Sequence, residues 1–339
     1  MVSGRRTGLC AAASRVVLRA AETPYTWAVR WRNRRYDRGS AVVHRVGVPV
    51  ISVGNLTLGG TGKTPMVEWL ARWFRRRGVA VGVVSRGYGG GRDVPNDEAM
   101  ELAWKLPDVP HVQNPDRVAA ARKAIDKFHA GLILLDDAFQ HRRIGRDLDL
   151  VLLDALEPFG YEHVFPRGTL REPPAGLARA DVVALSRADM VSPERREAIR
   201  RRVEVLAPRA VWLELAHVPL GLLSFGRTER PLASLAGQRV LAFCGIGNPA
   251  GFRHTLDACG FQVAELLEFP DHHAYDRRDL DVLAAAAQRH EATAVVCTQK
   301  DLVKVGLDRL GDRPLWAIRI GLEILCGQES FEARLVAVR

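Results

Sequence analysis

The stretch that most constrains the fold is VISVGNLTLGGTGKTP, residues 50–65. Its short apolar start predicts a buried strand, and the apolar spacing of MVEWLARWF directly after it predicts a helix. A glycine-rich turn between a strand and a helix is typical of a phosphate-binding loop, because backbone N–H groups and the helix N-terminus converge there on one anion. In such a loop Lys63 would reach the β- and γ-phosphates of a nucleotide, and the Thr64 hydroxyl would ligate Mg²⁺.

One position departs from the general GxxxxGK pattern. The first glycine would fall at position 57, which is Thr57, although Gly59, Gly60 and Gly62 still allow the backbone to bend around an anion. The alternative interpretation is a glycine-rich turn without a chemical role. The position of the turn between a predicted strand and a predicted helix favours the phosphate-binding loop.

A second predicted strand, residues 132–135, ends in the paired acids Asp136 and Asp137. An apolar strand followed by an acid delivers a carboxylate to Mg²⁺ in many P-loop enzymes. The segment AFQHRR follows at once and supplies hydrogen-bond donors near the expected phosphate site. A turn with two solvated carboxylates is the alternative, but acids and glycine loop together are more specific than either alone.

Other polar segments follow predicted strands or lie at the start of predicted helices. Arg167 and Arg171 lie on a long loop, where each is either a clamp for a reacting phosphoryl group or an ordinary surface arginine. SRAD, residues 186–189, is a degenerate guanine-recognition sequence, so no GTP preference is inferred. The histidines of DHHAY, residues 271–275, have no evident third metal ligand, so a proton-handling or substrate-contacting role is more economical. Asp97, read alone, favours a helix N-terminus electrostatically.

Alternation of strands and helices predicts an α/β fold: a P-loop NTPase-like, mostly parallel sheet with helices on both faces, plus a second, smaller α/β domain joined by a short β-linker. A length of 339 residues with 47% hydrophobic residues is enough for two cores. The predicted limits are 1–45 for a basic N-terminal segment, 46–217 for the phosphate-loop domain, 218–236 for the linker and 237–339 for the smaller domain. Five scattered cysteines without a CxxC pair favour a reducing compartment over a zinc site or a disulfide framework.

The positive charge is concentrated at the N-terminus. Residues 1–45 contain ten Arg, no Lys and two acids, so they carry +8 of the net +10. Thr23 and Pro24 predict the start of a helix that carries Trp27 and Trp31 among arginines. Such a helix suits an anionic membrane surface, or packs on the domain with its arginines solvated. Nucleic acid is a third possibility, without a recognised binding module to accompany the charge. No run of 18 apolar residues predicts a membrane-spanning helix.

These residues predict a Mg²⁺-dependent P-loop enzyme of phosphoryl transfer; the alternative is a P-loop NTPase that couples hydrolysis to partner or metal delivery. Seven motifs occur in one order over about residues 10–325: VGNLTLGGTGKTP, SRGYGG, NDEA, DDAFQH, FPRGTLREP, FPDHH and TQKDLVK. Together they closely resemble the tetraacyldisaccharide 4'-kinases, the lipid A 4'-kinases.

The resemblance implies transfer of the ATP γ-phosphate to the 4'-hydroxyl of a tetraacylated glucosamine disaccharide 1-phosphate, giving lipid IVA. It implies two α/β/α domains that flank an active-site cleft. It further implies peripheral attachment to the anionic cytoplasmic face of the inner membrane. Neither a nucleic-acid partner nor an obligate protein partner is expected.

Individual residues also match the family's motifs. The matches imply that Asp97 is the base that accepts the hydroxyl proton and that His272 tunes it. The full set implied to be catalytic is Asp97, His272, Lys63 and Arg171. The set implied to bind ATP is Thr57, Leu58, Gly59, Gly60, Thr61, Gly62, Lys63, Thr64, Asp136, Asp137, Gln140 and His141, with Thr64 and Asp137 as Mg²⁺ ligands. Asn96 and Ala99 depart from the family, which has Gly and Pro there, so the backbone beside the predicted base differs.

Overall fold

The computed structural model describes residues 8–87, 97–271 and 273–338. The helices in these ranges are α1 Leu9–Asp37, α2 Lys63–Arg75, α3 Asp97–Lys105, α4 Arg117–Phe128, α5 Pro193–Leu206, α6 Pro249–Ala258, α7 Arg277–Arg289, α8 Gln299–Val305 and α9 Gln328–Val336. The strands are β1 Val50–Asn55, β2 Val81–Ser85, β3 His111–Gln113, β4 Leu132–Asp136, β5 Leu148–Asp154, β6 Val182–Ser186, β7 Val211–Leu223, β8 Glu229–Arg230, β9 Arg239–Cys244, β10 Gln262–Glu268, β11 Ala294–Thr298, β12 Arg309–Leu310 and β13 Arg313–Cys326.

The described chain forms two compact units. Unit 1 comprises residues 8–87, 106–216 and 324–338, and unit 2 comprises the rest. In unit 1 the strand order is β7-β6-β5-β1-β4-β2-β3, and every neighbouring pair is parallel. In unit 2 the parallel order is β10-β9-β11-β13, with β12 antiparallel to β13. The predicted α/β fold with a mostly parallel sheet is confirmed.

Helices cover both faces of the sheet in unit 1. On one face Ile133 and Leu135 of β4 cluster with Ala121 of α4. Met66 and Leu70 of α2 are fully buried, and α2 contacts β1, β2 and β4. Strands that are buried on both faces read as continuous apolar runs, which is why β1 and β4 could be recognised in the sequence without alternation.

The units do not follow the predicted domain limits everywhere. Residues 97–105 belong to unit 2, where α3 contacts α8 and Trp104 packs on the apolar cluster of Phe243. Residues 324–338 belong to unit 1, where the fully buried Phe331 stacks on Trp69 with ring centroids 5.4 Å apart. Each segment joins a unit formed mainly by distant sequence, because its aromatic side chain, partly buried at Trp104 and fully buried at Phe331, has its partners there.

The N-terminal helix does not begin where the sequence predicted. α1 runs through Pro24, so the prediction of a helix start at Thr23 and Pro24 is wrong. The Thr23 hydroxyl donates to the Arg19 carbonyl at 3.4 Å instead of capping a helix. A proline inside a helix removes one backbone hydrogen bond, and here burial of Val29 on the following turns helps to sustain the helix. None of the described helices, α1 included, is both long and apolar enough to cross a bilayer.

Gly54 in β1 provides a test of the packing beneath the loop. An added Cβ would lie 2.6 Å from Phe139 Cβ and 2.7 Å from the Phe139 backbone nitrogen. Overpacking a core costs about 1–3 kcal/mol, so Gly54→Ala should lower the free energy of unfolding by about 3 kcal/mol in urea denaturation. Gly131→Ala is the control, because its Cβ would meet only Ala80 O at 3.7 Å. Equal stability of the two variants would contradict the packing described here.

Candidate active site

The predicted phosphate-binding loop connects β1 to α2. Gly59 and Gly62 have φ angles of 111° and 85°, in the left-handed region that glycine enters most easily. An added Cβ at Gly59 or Gly60 would meet no atom within 4 Å, so the space beside them is open. The Thr61 hydroxyl is buried and has no hydrogen-bond partner among the described residues. The loop therefore combines open space, a free hydroxyl and a helix N-terminus, which together suit an anionic ligand.

Asp137 lies between two cationic side chains. Its Oδ1 is 3.6 Å from Lys63 Nζ and 2.6 Å from Arg171 Nη1. The three side chains are 27, 11 and 22% exposed, respectively, so water screens these charges only partly. The parallel pairing of Val53 with Asp136 places the carboxyl end of β4 beside the end of β1, and hence beside Lys63. The structure thus brings three of the predicted site residues into contact.

The pKa of Asp137 reflects this environment. Burial alone raises the pKa of the carboxyl group, but the facing charges of Lys63 and Arg171 outweigh burial and hold the pKa below its usual range. The residue is therefore a carboxylate at neutral pH. An ionised carboxylate beside a phosphate-binding loop can ligate a cation or orient the two basic side chains.

Arg171 reaches Asp137 because its loop pairs with the phosphate-binding loop. The Arg171 N–H donates to the Leu56 carbonyl at 2.7 Å, and the Leu58 N–H donates to the Thr169 carbonyl at 2.7 Å. These two hydrogen bonds fix the backbone on both sides of Thr57. Residue type alone left Arg171 as either a clamp or a surface arginine, whereas the family resemblance implied a catalytic role. The structure places its side chain in contact with Asp137.

Glu172 is the hub of a buried polar network that the sequence did not reveal. Its side chain is fully buried and accepts hydrogen bonds from Arg179 at 2.8 and 3.0 Å, Asn33 at 2.8 Å and Gln140 at 3.1 Å. Gln140 also donates to the Asn55 carbonyl at 2.9 Å. Gln140, predicted to bind nucleotide, therefore connects the end of β1 to α1 through this network. Only its position next to Arg171 in the sequence could have drawn attention to Glu172.

Arg117 is a second residue that sequence reasoning missed. It occupies the first position of α4 and is only 3% exposed. Burial, followed by the charge of Arg86, lowers its pKa to about 10, although Asp137 and Asp136 partly oppose the shift. The guanidinium is still charged at neutral pH and adds a cation near both acids. A charged residue in an otherwise apolar helical stripe was the one signal available for it.

His141 is placed beside these cations. Burial, then the charges of Arg117 and Arg146, lower its pKa to about 4. Its Nε2 is buried and has no hydrogen-bond partner among the described residues. The imidazole is therefore neutral at physiological pH, and it can accept or donate a hydrogen bond without adding charge.

Several predicted residues fall outside the described ranges. Asp97 begins α3, but its side chain is not described, and His272, Asn96 and residues 88–90 of the SRGYGG loop lie outside altogether. The proposed base and its partner therefore stay predictions. Within the described residues no group of three His, Cys, Asp or Glu side chains could hold a metal ion. A cation at this site would depend on Thr64, on Asp136 at the end of β4 and on Asp137 directly after it.

A glycine loop between a parallel strand and a helix, with a lysine, an arginine and a carboxylate in contact beside it, defines a P-loop enzyme that acts on phosphate groups. Residues 14–338 match the family model LpxK, tetraacyldisaccharide-1-P 4'-kinase. A relative named tetraacyldisaccharide 4'-kinase from Anaeromyxobacter dehalogenans is 40% identical over 97% of this chain and 92% of its own length. One of the same name from Syntrophus aciditrophicus is 40% identical over 83% of this chain and 82% of its own.

A solved structure supports the same assignment. It is described as LpxK from Aquifex aeolicus in complex with ATP, and it matches with a TM-score of 0.76 and 26% identity. The match covers 96% of this chain and 99% of the Aquifex chain. The protein belongs to the tetraacyldisaccharide-1-P 4'-kinase family. The predicted family and the predicted kinase activity are confirmed.

The depressed pKa of His141 predicts a pH-dependent loss of stability. Between about pH 6.5 and 4 the unfolded chain binds a proton that the folded protein does not, so stability falls as the pH falls. His141→Gln removes this effect, which amounts to less than about 1.4 kcal/mol per pH unit. In thermal melts, the melting temperature should decrease less between pH 7 and pH 5 for His141→Gln than for the wild type. His129→Asn, at an exposed histidine, is the control, and an equal decrease in all three proteins would contradict the burial argument.

Proposed function

We propose that this protein transfers the γ-phosphoryl group of ATP to the 4'-hydroxyl of a tetraacyldisaccharide 1-phosphate, the reaction that gives lipid IVA. The relatives bear the name of this reaction, and the Aquifex structure is described as a complex with ATP. The observation that carries the proposal is the contact of Lys63 and Arg171 with Asp137 beside the glycine loop. Phosphoryl transfer depends mainly on positioning and charge neutralisation, and this cluster supplies both.

Each side chain in the cluster has a distinct proposed role. Lys63, at the first position of α2, binds the β- and γ-phosphates beside the open space of the loop. Arg171 neutralises charge that develops on the transferring group, and Asp137 keeps both cations oriented. Arg117 adds a buried positive charge near the same carboxylates. These fixed charges act in a partly desolvated site, where they are worth more than in water.

The residues present fit a magnesium ion. The Thr64 hydroxyl and the carboxylates of Asp136 and Asp137 are oxygen donors, the type that Mg²⁺ prefers, and it usually takes only one or two protein ligands in phosphate sites. We assign Thr64 and Asp137 as its ligands. When bound, the ion would neutralise phosphate charge. Lys63 and Arg171 both contact Oδ1 of Asp137, so that oxygen already interacts with two protein side chains.

Asp97 is the proposed base for the acceptor hydroxyl, with His272 as the residue that tunes it. The support is the match of both residues to motifs of the family to which the chain belongs. Asp97 also begins a helix, where the positive end of the helix dipole favours the ionised carboxylate that a base requires. Asn96 and Ala99 alter the neighbouring sequence while α3 still begins at Asp97.

The two sides of α1 support peripheral binding to an anionic membrane, which we propose is the cytoplasmic face of the inner membrane. One side packs on the rest of unit 1. There the Glu22 carboxylate accepts a hydrogen bond from the Val164 N–H at 2.8 Å, and the Asn33 side chain donates one to Glu172 at 2.8 Å. On the opposite side Trp27 and Trp31 are 67% and 52% exposed. The exposed arginines on that opposite side are Arg30, Arg34 and Arg35, and the exposed Arg38 follows directly after the helix. Exposed tryptophans among arginines suit a headgroup layer of negative charge.

A phosphoryl-transfer assay tests the proposed reaction. Purified protein with Mg²⁺ and γ-labelled ATP should label tetraacyldisaccharide 1-phosphate in detergent. Asp97→Asn should lower this rate by about 10²–10⁴-fold, the usual contribution of a general base, while ATP binding is retained. Asp108→Asn, at an exposed acid paired with Arg75, is the control and should keep the wild-type rate.

Two results would overturn parts of this proposal. Release of free phosphate without a labelled lipid would favour the NTPase that couples hydrolysis to delivery. Label in the lipid with a fully active Asp97→Asn variant would keep the reaction but place the base elsewhere.

Charge reversal tests the membrane proposal. Arg30→Glu with Arg34→Glu should weaken sedimentation with vesicles of anionic lipid by at least about 30-fold, because each basic residue near such a surface contributes about 1 kcal/mol. Arg195→Glu with Arg209→Glu makes the same change of net charge at exposed positions elsewhere in unit 1. Equal binding of the two double variants would show that net charge, and not α1, controls membrane binding.

A further inference from the structure

Arg187, in the SRAD segment after β6, joins the phosphate-binding loop to the end of β5. Its Nη2 donates to the Gly60 carbonyl at 2.6 Å, and its Nη1 donates to the Asp154 carboxylate. The side chain is only 9% exposed. The proposed phosphoryl transfer does not by itself assign a role to this arginine.

The strained backbone conformation of Arg187 indicates that an arginine side chain has a specific role at this turn. Its φ angle is 58°, in the left-handed region that residues with a Cβ rarely adopt. Glycine or asparagine would occupy such a corner with less strain. The chain turns here from β6 into the short 3₁₀ helix Ala188–Met190, and the strained residue is the one that reaches the loop.

The contact controls the direction of a peptide unit in the loop. A trans peptide is planar, so the Gly60 carbonyl and the Thr61 N–H point in opposite directions. The bond to Arg187 holds the carbonyl oxygen on the Arg187 side, which turns the Thr61 N–H away from Arg187. A phosphate-binding loop needs its N–H groups directed at the anion, since a carbonyl oxygen in that position would repel it.

Two neighbouring carbonyls are held in the same manner. The Gly59 carbonyl accepts from Asn55 Nδ2 at 3.4 Å, and the Leu56 carbonyl accepts from the Arg171 N–H at 2.7 Å. Of the three donors, Arg187 provides the one charge-assisted bond, and charge-assisted bonds are the stronger kind. Asp154 keeps the arginine in place by binding the other end of its guanidinium.

We propose that Arg187 is a positioning residue for the nucleoside triphosphate: it holds the Gly60 carbonyl out of the phosphate site and thereby directs the Thr61 N–H towards the anion. Asp154 acts through Arg187 by restricting its rotamer. The inference rests on the proposed function only in requiring a nucleoside triphosphate as ligand. It does not depend on which acceptor receives the phosphoryl group.

Equilibrium binding of a fluorescent ATP analogue, measured without acceptor, tests this role. Arg187→Leu removes both contacts and should raise the dissociation constant at least tenfold. Arg187→Lys keeps the charge but reaches one partner at a time, so it should give a smaller increase. Asp154→Asn should weaken binding in the same direction, and its effect should largely disappear in an Arg187→Leu background.

A matched variant separates positioning from general stabilisation. Arg196 Nη1 pairs with Glu214 Oε2 at 2.9 Å in the same unit, away from the phosphate-binding loop. Arg196→Leu should lower the melting temperature of the nucleotide-free protein about as much as Arg187→Leu without changing ATP affinity. Steady-state kinetics should show a raised KM for ATP and an unchanged KM for the lipid acceptor in Arg187→Lys.

The proposal would be overturned if Arg187→Leu bound the analogue like the wild type, or if Arg196→Leu weakened binding equally. Should Arg187→Leu fail to fold, Arg187→Lys and Asp154→Asn decide the question, and wild-type affinity in both would refute it. A wild-type protein that binds ATP but labels no lipid would refute the proposed reaction and leave the role of Arg187 open to the same binding test.

Discussion

The site depends on one carboxylate that faces two cations. Asp137 follows β4, Lys63 begins α2, and Arg171 arrives on a loop hydrogen-bonded to residue 56, so three separate segments must be in place before the contacts form. Positive groups this close and this buried would repel one another without an acid between them. The same arrangement that stabilises the cluster also presents a concentrated positive charge to a phosphate chain. The charged side chains that stabilise the folded cluster are therefore the same ones that would bind phosphate.

Through the polar network of Glu172, the arrangement of the site also depends on the position of α1. Glu172 receives hydrogen bonds from α1 through Asn33 and from the residues after β4 through Gln140. An added Cβ at Gly176 would lie 2.7 Å from Glu172 Oε2, so the loop packs closely around the buried carboxylate. Because an incompletely bonded buried carboxylate is costly, the network holds α1 and the Arg171 loop in one arrangement. The helix that we assign to the membrane surface is thus bonded directly to the residues around the active site.

Features that depend on interactions between neighbouring residues could be predicted from the sequence, whereas features that depend on contacts between distant residues could not. The glycine loop, the acids after β4 and the parallel α/β pattern are local in sequence, because strand, turn and helix signals lie within a few residues of one another. Arg117 and Glu172 had only weak signals in the sequence, since the role of a buried charge is visible only when its distant partners are known. The helix start at Pro24 was mispredicted for a related reason: a local capping signal was outweighed by packing on the turns beyond it.

By itself, the sequence determined the kind of chemistry. The residues between β1 and α2 specify a phosphate-binding loop wherever they are placed, because glycine conformations and a helix N-terminus are local properties. The tertiary structure alone decided which side chains surround the loop. Arg187 and Arg171 are more than 100 residues from the loop in the chain, yet their bonds to Gly60 and Leu56 orient its carbonyls. Such contacts depend on strand order and parallel register, which a local sequence pattern does not encode.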